Sequence, residues 1–284
     1  MIPTAFEYAR ATSLDDALAK LKAAGAGAKL IAGGHSLVPL MKLRLSEPQT
    51  LIDISRLPEL SGIKEREGKI VVGAGTVHHD VATSSLLGER CPAVAEAAAT
   101  IGDSQVRNRG TLGGSVAHAD PSADMPAVLV ALDAEIHLRS PKGWRMVKSP
   151  DFFQGMFTVD MAPDEIIASV QFVPVRTAAY VKLHQRASHY AIVGVAAALD
   201  VKGRTVVAAR IGLTGAASHA RRLANVEQAL AGQPLSAKTI EGAAQLAGQG
   251  LDDINSDIHA SAEYRRAMIP VFTRRALMAA MARA

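Results

Sequence analysis

The chain contains a single cysteine, Cys91, in 284 residues. One thiol excludes a disulfide within the chain, and it excludes any iron–sulfur cluster that needs several thiolates from this chain alone. This cysteine usage is typical of proteins from a reducing compartment. We therefore expect a cytoplasmic protein.

Long apolar runs and blocks of one charge are also missing. No apolar stretch approaches the roughly 20 residues that a membrane span requires, and the opening MIPTAFEYARATSLDD lacks the charged and apolar regions of a signal peptide. The 31 Lys and Arg residues are scattered among 27 acidic ones, without a basic block. We therefore expect no export, no membrane insertion and no nucleic-acid binding. A hydrophobic content of 49% indicates a folded chain, long enough for two domains.

Several catalytic signatures are incomplete. The segment VVGAGTVHHD begins like a dinucleotide-binding fingerprint, but His78 stands where the third glycine is needed. The sequence has no GxxxxGK motif followed by Ser or Thr, and Ser36 is not in a GxSxG motif. His78 and His79 are adjacent, so on a helix they diverge by about 100 degrees instead of meeting at one metal ion. We therefore predict no metal site and no catalytic residue.

The apolar pattern predicts two domains, at 1–176 and 177–284, and divides the first into lobes at about 1–57 and 58–176. Ser13 and Asp16 resemble a capping box that starts a helix ending at Gly25. In the rest of the first lobe we predict strands at 29–32 and 51–55 and a short helix at 36–45. In the second lobe we predict a strand at 69–72, two Ala-rich helices within 77–102, a well-fixed loop at 110–126, and strands at 134–140, 144–148 and 166–173. In the second domain we predict antiparallel strands at 180–187, 191–201 and 205–214, with helices from about 220 onward.

Two glycine-rich turns remain as the main chemical signal. Gly33-Gly34-His35-Ser36 and Gly113-Gly114-Ser115 lie about eighty residues apart, and each follows apolar sequence. Consecutive backbone N–H groups in such turns form a concave donor site for phosphate, to which a serine hydroxyl can add. Two such sites suit a pyrophosphate. Tight turns that merely need glycine are the alternative interpretation.

The glycine-rich segments and their surroundings resemble those of a known family. The segments AGGHSLVPLMKLRL and IGDSQVRNRGTLGGSVAHADPSADMPA resemble the paired flavin-binding motifs of the FAD-binding medium subunits of molybdenum hydroxylases, closest to the carbon monoxide dehydrogenase medium-subunit group. The segments FEYARATSLDDALAKL, ASHYAIVGVAAAL and EYRRAMIPVFTRRAL follow in the order expected for that family. The resemblance therefore covers nearly the whole chain.

The resemblance implies an α+β fold: a two-lobed FAD-binding domain of the vanillyl-alcohol-oxidase type, followed by a smaller α+β domain with a three-stranded antiparallel sheet and helices. It implies that backbone N–H groups of both glycine turns surround the FAD pyrophosphate. The residues that it assigns to FAD binding are Ala32, Gly33, Gly34, His35, Ser36, Leu37, Ile101, Thr111, Gly113, Gly114, Ser115, Asp124, Lys182 and Tyr190.

The side chains of four of these residues have more specific interpretations. Asp124 corresponds to an acid that contacts hydroxyl groups beside the flavin, and helix capping before Pro126 is an equal alternative. Lys182 and Tyr190 are candidates for the isoalloxazine end, where a cation stabilises the reduced flavin. Some relatives carry Asn at the position of Ser115, so its side-chain contact differs from theirs.

The resemblance also implies a function and partners. The two iron–sulfur clusters ([2Fe-2S]) and the molybdopterin of such systems must lie on a small and a large partner subunit, because this chain has one cysteine. A dimer of heterotrimers is implied, in which electrons pass by way of FAD to an external acceptor such as a quinone, NAD or oxygen. The alternatives are a standalone flavin oxidoreductase of the same fold and a non-catalytic phosphate-binding scaffold.

Overall fold

A computed structural model describes residues 2–284 as three main β-sheets with their helices, which follow one another along the chain, and one separate two-stranded sheet. The first sheet has three parallel strands in the order β1-β3-β2. Its elements are β1 (Glu7–Arg10), α1 (Leu14–Ala24), β2 (Ala28–Ile31), α2 (Leu37–Lys42) and β3 (Thr50–Asp53), with short 3-10 turns at Gly25–Gly27 and Pro58–Leu60. The predicted helix before Gly25, the strands at 29–32 and 51–55 and the short helix at 36–45 are present with bounds that differ by a few residues, whereas the strand β1 was not predicted.

The start of α1 shows how the sequence determines this lobe. The Ser13 hydroxyl accepts the N–H of Asp16 at 3.1 Å, as predicted. The Asp16 carboxylate, however, accepts the N–H of Thr12 at 2.8 Å instead of that of Ser13, so the box is displaced by one residue. The helix buries its apolar face against the parallel sheet, and Gly25, with φ +65°, ends it. The residues of that face are Leu14, Ala17, Leu18 and Leu21.

The second sheet has five antiparallel strands in the order β4-β5-β10-β6-β7. Its strands are β4 (Ile63–Arg66), β5 (Lys69–Gly73), β6 (Glu135–Ser140), β7 (Gly143–Lys148) and β10 (Ile166–Phe172), and β8 (Phe153–Gly155) pairs separately with β9 (Thr158–Val159). The helices of this part are α3 (His78–Thr83), α4 (Ser85–Arg90), α5 (Pro92–Ala99), α6 (Ser104–Arg107), α7 (Leu112–His118), α8 (Asp124–Ala131) and α9 (Ser149–Phe152). The predicted hairpin at the Pro-Lys-Gly turn is confirmed as the β6–β7 pair.

Two predictions for this part are wrong. The region 77–102 holds three helices instead of two, because the Ser84 hydroxyl accepts the N–H of Leu87 at 3.3 Å and starts α4. The predicted loop at 110–126 contains α7 and the start of α8. The Thr111 hydroxyl caps α7 by accepting the N–H of Gly114 at 3.1 Å. Tertiary packing and this cap override the low helix propensity of the glycines.

The third sheet has four antiparallel strands in the order β11-β12-β13-β14, where three were predicted. Its elements are β11 (Ala178–His184), β12 (Ala191–Lys202), β13 (Thr205–Thr214) and β14 (Arg221–Arg222), followed by α10 (Ala224–Leu230), α11 (Ala237–Ala244) and α12 (Ala262–Met281). The added strand β14 pairs with the end of β13 and is only two residues long. It is too short to show the alternation of apolar and polar residues from which a strand is predicted.

Each sheet has its own buried apolar cluster, formed with the helices that pack on it. The middle cluster extends to Ala196 and Ala198 of β12, so the second and third sheets share apolar contacts. Within residues 2–284, none of the helices combines the length and the apolar character that a membrane crossing demands.

Candidate functional site

One large cavity of about 1000 Å³ brings the two glycine-rich turns together. Its volume is at the upper end of the range for small-molecule sites, which indicates an extended ligand. Every residue that the sequence analysis assigned to FAD binding lines this cavity, with the exception of Lys182. Loops and helices of residues 21–167 supply most of the wall, and the hairpin tip between β11 and β12 supplies Ser188, His189 and Tyr190.

The first glycine turn presents a row of free donors on the cavity wall. Among the described residues, no acceptor pairs with the backbone N–H groups of Gly33, Gly34, His35 and Ser36. Gly34 has φ +75°, a conformation that glycine adopts without strain. Four consecutive unpaired N–H groups are therefore available as donors to anionic oxygens, as the prediction for this turn requires.

The second glycine turn differs from its prediction. The N–H groups of Leu112 and Gly113 donate to the carbonyls of Thr76 and Ala74, and that of Ser115 donates to the carbonyl of Thr111. The N–H of Gly114 is taken by the Thr111 hydroxyl. The backbone of this turn is therefore committed to β5 and to α7, and it does not form a second row of free donors. The Ser115 side chain remains beside the cavity.

Glycine at positions 33 and 113 is required by contacts within the protein. A Cβ atom on Gly33 would lie 2.1 Å from the carbonyl oxygen of Arg109, and one on Gly113 would lie 2.4 Å from the Cβ of Ala74. Neither separation is possible between such atoms. The absent side chains thus allow the two loops that line the cavity to approach each other and β5.

Asp124 lies at the cavity in a buried ion pair. Its carboxylate accepts the phenol O–H of Tyr180 at 2.5 Å and the ammonium group of Lys182 at 2.9 Å. Asp124 is the first residue of α8, after the N-cap residue Ala123, and its carboxylate pairs with Tyr180 and Lys182. Burial raises the pKa of Asp124, while Lys182 and Tyr180 oppose that rise. The pKa of Tyr180 is also raised by burial and by the Asp124 charge.

Lys182 does not line the cavity, which is at odds with its predicted place beside the flavin ring. Its side chain is 4% exposed, and Nζ donates to the carbonyls of Thr100 at 3.0 Å and His189 at 2.6 Å as well as to Asp124. An ammonium group has three donors, and all three are used. Burial lowers the pKa of Lys182, and Asp124 opposes this.

The loop that precedes Asp124 is held by the third sheet. The Thr214 hydroxyl lies 2.9 and 2.7 Å from the carbonyl oxygens of Pro121 and Ala123, which share its single O–H donor. The backbone N–H groups of Gly215 and Ala191 donate to the carbonyls of Pro121 and Ser122. Residues of the third sheet and its connections therefore fix a wall of the cavity.

Tyr190 lies at the cavity and is 44% exposed. Its carbonyl accepts the N–H of Gln185, which closes the hairpin tip. Burial raises the pKa of its phenol, and the charges of Asp120 and Asp124 raise it further. The side chain is therefore a neutral, aromatic part of the wall at neutral pH.

Three histidines of the cavity wall, His78, His118 and His189, were not among the predicted residues. His78 is buried, its Nδ1 has no hydrogen-bond partner among the described residues, and burial lowers its pKa to about 4. Burial also lowers the pKa of His118, whose ring lies 5.1 Å from that of Phe157. Both rings are therefore uncharged at neutral pH.

Other residues of the cavity wall were also not predicted from the sequence. Ala74, Gly75 and His78 belong to the GAGTVH segment, whose glycines after a strand were a usable signal even though the full fingerprint is missing. The segment from Met161 to Ile167 gave no signal, since it reaches the cavity only through the pairing of β10 with β5 and β6.

Comparison with known proteins identifies the family. Residues 4–175 match the family described as FAD binding domain in molybdopterin dehydrogenase, and residues 178–280 match the CO dehydrogenase flavoprotein C-terminal domain. The chain is 40% identical to the carbon monoxide dehydrogenase medium chain of Hydrogenophaga pseudoflava, over 100% of this chain and 99% of that one. It is 37% identical to the glyceraldehyde dehydrogenase medium chain of Sulfolobus acidocaldarius, over 97% and 98% of the two chains.

Solved structures agree with this assignment. A carbon monoxide dehydrogenase chain from Hydrogenophaga pseudoflava superposes with a TM-score of 0.95 over 100% of both chains. A chain of quinoline 2-oxidoreductase from Pseudomonas putida 86, 34% identical, gives a TM-score of 0.93 over 99% of both chains. The α+β fold predicted from the resemblance is thereby confirmed. The chain belongs to the FAD-binding medium subunits of carbon monoxide dehydrogenase-like molybdenum hydroxylases, and it is an oxidoreductase subunit whose cofactor is FAD.

Proposed function

We propose that this chain relays electrons, by way of FAD in the cavity described above, from the iron–sulfur clusters of a small subunit to an external acceptor. Substrate oxidation then takes place on a large molybdopterin subunit, and the complex is a dimer of heterotrimers. The observation that carries the proposal is the row of four free N–H groups from Gly33 to Ser36 on the wall of a 1000 Å³ cavity.

The residues of the cavity fit FAD. A pyrophosphate needs several hydrogen-bond donors, and the first glycine turn offers them without a cation. The N–H of Thr111 and the hydroxyl of Ser115 are further donors opposite that turn, and among the described residues this N–H has no acceptor either. The extended shape of the cavity, from Lys22 and Gly25 at α1 to Tyr190 at the hairpin tip, suits a dinucleotide.

The rest of the cavity supports particular roles for its residues. We assign the pyrophosphate to Ala32, Gly33, Gly34, His35 and Ser36, with Leu37, Thr111, Gly113, Gly114 and Ser115 packed around it. We assign Asp124 to hydroxyl groups beside the flavin, because a carboxylate is an acceptor for them. Ile101 and Tyr190 supply apolar contact to the flavin. FAD supplies the redox chemistry, and the chain binds, orients and shields it.

The proposed domain division, 1–176 and 177–284, has a functional meaning in this assignment. The first domain supplies the glycine turns and Asp124. The second holds Asp124 through Tyr180 and Lys182 and covers one end of the cavity with its hairpin tip. Removal of the second domain is therefore expected to weaken FAD binding even though few of its residues reach the cavity.

The need for partner subunits follows from what the chain contains. Its one cysteine is buried and cannot supply the thiolates of a cluster. Its relatives are named as medium chains or as subunits of a complex. Both observations support a role in which electrons enter and leave through other proteins.

The first experiment measures FAD on the purified chain. After incubation with FAD and removal of the excess, the visible spectrum and acid release followed by chromatography give the identity and amount of the bound flavin. We expect one FAD per chain. Absence of flavin would contradict the assignment of the cavity and favour a phosphate-binding scaffold.

The second experiment tests the relay. Mild affinity purification from the native host is expected to recover a small Cys-rich protein and a large protein in equal amounts with this chain. Iron, acid-labile sulfide and molybdenum are then measured on the complex. Recovery of the chain alone, with FAD and with substrate oxidation by the isolated protein, would favour a standalone flavin oxidoreductase.

A further inference from the structure

Lys182 joins three separate segments of the chain through one ammonium group. Its acceptors are the carboxylate of Asp124 at the start of α8, the carbonyl of Thr100 at the end of α5, and the carbonyl of His189 in the β11–β12 hairpin. Only a protonated amine has three N–H donors, so this geometry requires the charged form.

Each of these three segments forms part of the cavity wall. Asp124 and His189 line the cavity themselves, and Thr100 directly precedes the lining residues Ile101 and Gly102. Lys182 is outside the cavity, but the relative positions of three of its walls depend on this one side chain. No other side chain described between residues 2 and 284 donates to all three segments.

Asp124 is held from two sides by the same strand. Tyr180 and Lys182 are alternate residues of β11, so both side chains leave the same face of the sheet and meet the two oxygens of Asp124. The Asp124 and Lys182 side chains are 5% and 4% exposed. A buried pair of this kind is costly to desolvate, and loss of one partner leaves the other charge uncompensated.

We propose that Lys182 and Tyr180 are positioning residues of the flavin site: they fix the Asp124 carboxylate toward the cavity and hold three of its walls in place. This inference rests on the proposed location of FAD in the cavity. It assigns to the second domain a direct influence on cofactor binding.

The test compares variants of the full chain by FAD affinity, by visible circular dichroism of the bound flavin, and by their unfolding midpoints. Lys182→Met and Asp124→Asn are each expected to weaken FAD binding about tenfold, since each leaves a buried polar partner unpaired. Both are also expected to alter the flavin dichroism in the same way. Lys202→Met, at the exposed end of the neighbouring strand β12, is the control and is expected to match the wild type.

The double variant distinguishes positioning from general stabilisation. If Lys182 acts through Asp124, then Lys182→Met adds at most about a twofold loss of affinity in the Asp124→Asn background. Multiplicative losses in the double variant would overturn the proposal, and so would wild-type affinity and dichroism in Lys182→Met.

Tyr180→Phe keeps the proposal testable if Lys182→Met does not fold. This change removes only the hydroxyl group that donates to Asp124 and keeps the ring, and we expect about a threefold loss of affinity. Unchanged affinity in folded Tyr180→Phe would contradict the role of Tyr180 and with it the proposal.

The location of FAD is tested separately by Gly33→Ala, which alters the opposite wall. If the wild-type chain binds no FAD, or if Gly33→Ala retains it fully, the location is wrong and this inference falls with it. If the wild type binds FAD, Gly33→Ala loses it and Lys182→Met does not, then only the role of Lys182 is wrong.

Discussion

Gly33 and Arg109 lie so close together that a Cβ atom on Gly33 would be 2.1 Å from the Arg109 carbonyl oxygen. This contact joins the first glycine turn to the loop that leads into the second. It gives Gly33 a role that a sequence pattern cannot distinguish from direct approach to a ligand.

The change Gly33→Ala is expected to separate the two loops, because the new methyl group meets backbone that cannot rotate away. We expect a loss of stability of about 1–3 kcal/mol and loss of FAD at micromolar concentration. Denaturant unfolding and flavin content after gel filtration measure the two effects. Gly88→Ala is the matched control, since no atom lies within 4 Å of its added Cβ and alanine favours the helix α4. Full FAD retention by Gly33→Ala would contradict the location of FAD against the first glycine turn.

Gly34→Val tests the free donors of the first turn. Gly34 has φ +75°, where a β-branched side chain is strained by about 1–2 kcal/mol, and the strain reorients the N–H groups of His35 and Ser36. We expect FAD binding to be lost while the chain still folds. Gly203→Val serves as the control, because Gly203 has φ +62° in the distant β12–β13 connection with no atom near its added Cβ. It is expected to cost similar stability and to leave FAD bound. Equal FAD contents in the two variants would contradict the donor role.

Sequence patterns predicted most elements because apolar periodicity and caps are local. The face of α1, the hairpin at Pro141 and the three long strands of the third sheet each carry their signal within about ten residues. The predictions failed where contacts between distant segments of the chain determine the local structure. The helix α7 packs so closely on Ala74, the residue after β5, that position 113 has no room for a side chain, and nothing in GTLGGSVAH alone shows that contact.

The candidate site likewise combines features that are local in sequence with contacts between distant segments. The family motifs gave the residues of both turns, but the hydrogen bonds that leave the first turn free and occupy the second depend on β5 and on Thr76, far away in sequence. The resemblance placed Lys182 at the isoalloxazine end and did not indicate its contact with Asp124. Its three acceptors at Thr100, Asp124 and His189 come from distant segments, so its position outside the cavity became visible only in the structure.

Glu135 is expected to contribute stability that is lost in acid. Hydrogen bonds from Lys69 at 2.7 Å and Lys148 at 3.0 Å lower its pKa from about 4.5 to about 2. The unfolded chain therefore binds more protons between pH 4.5 and 2, and the free energy of unfolding decreases as the pH falls through that range. Because both lysines are more than a third exposed, we expect a contribution on the order of 1 kcal/mol at pH 6.

Glu135→Gln removes this contribution. Its stability is expected to lie below that of the wild type at pH 6 and to approach it near pH 2, as measured by urea unfolding. The exposed Glu89→Gln is the control and is expected to follow the wild type throughout. A constant difference between Glu135→Gln and the wild type at every pH would show that the ion pairs do not cause it.

His78 gives a pH dependence in a higher range. Burial on the cavity wall lowers its pKa from about 6.5 to about 4, so the folded chain binds fewer protons at this site than the unfolded chain in that interval. The free energy of unfolding is therefore highest above pH 6.5 and decreases as the pH falls toward 4. Between pH 7 and pH 5 this decrease is about 2 kcal/mol. His78→Phe removes the titration and buries no unpaired nitrogen. Over this range the free energy of unfolding of the variant is therefore expected to lack the decrease that His78 causes in the wild type. His79→Phe, on the exposed side of α3, is the control for ring substitution. Parallel pH profiles of the wild type and His78→Phe would show that His78 is charged or hydrated in the folded protein, and that the cavity wall at α3 is more polar than its burial indicates.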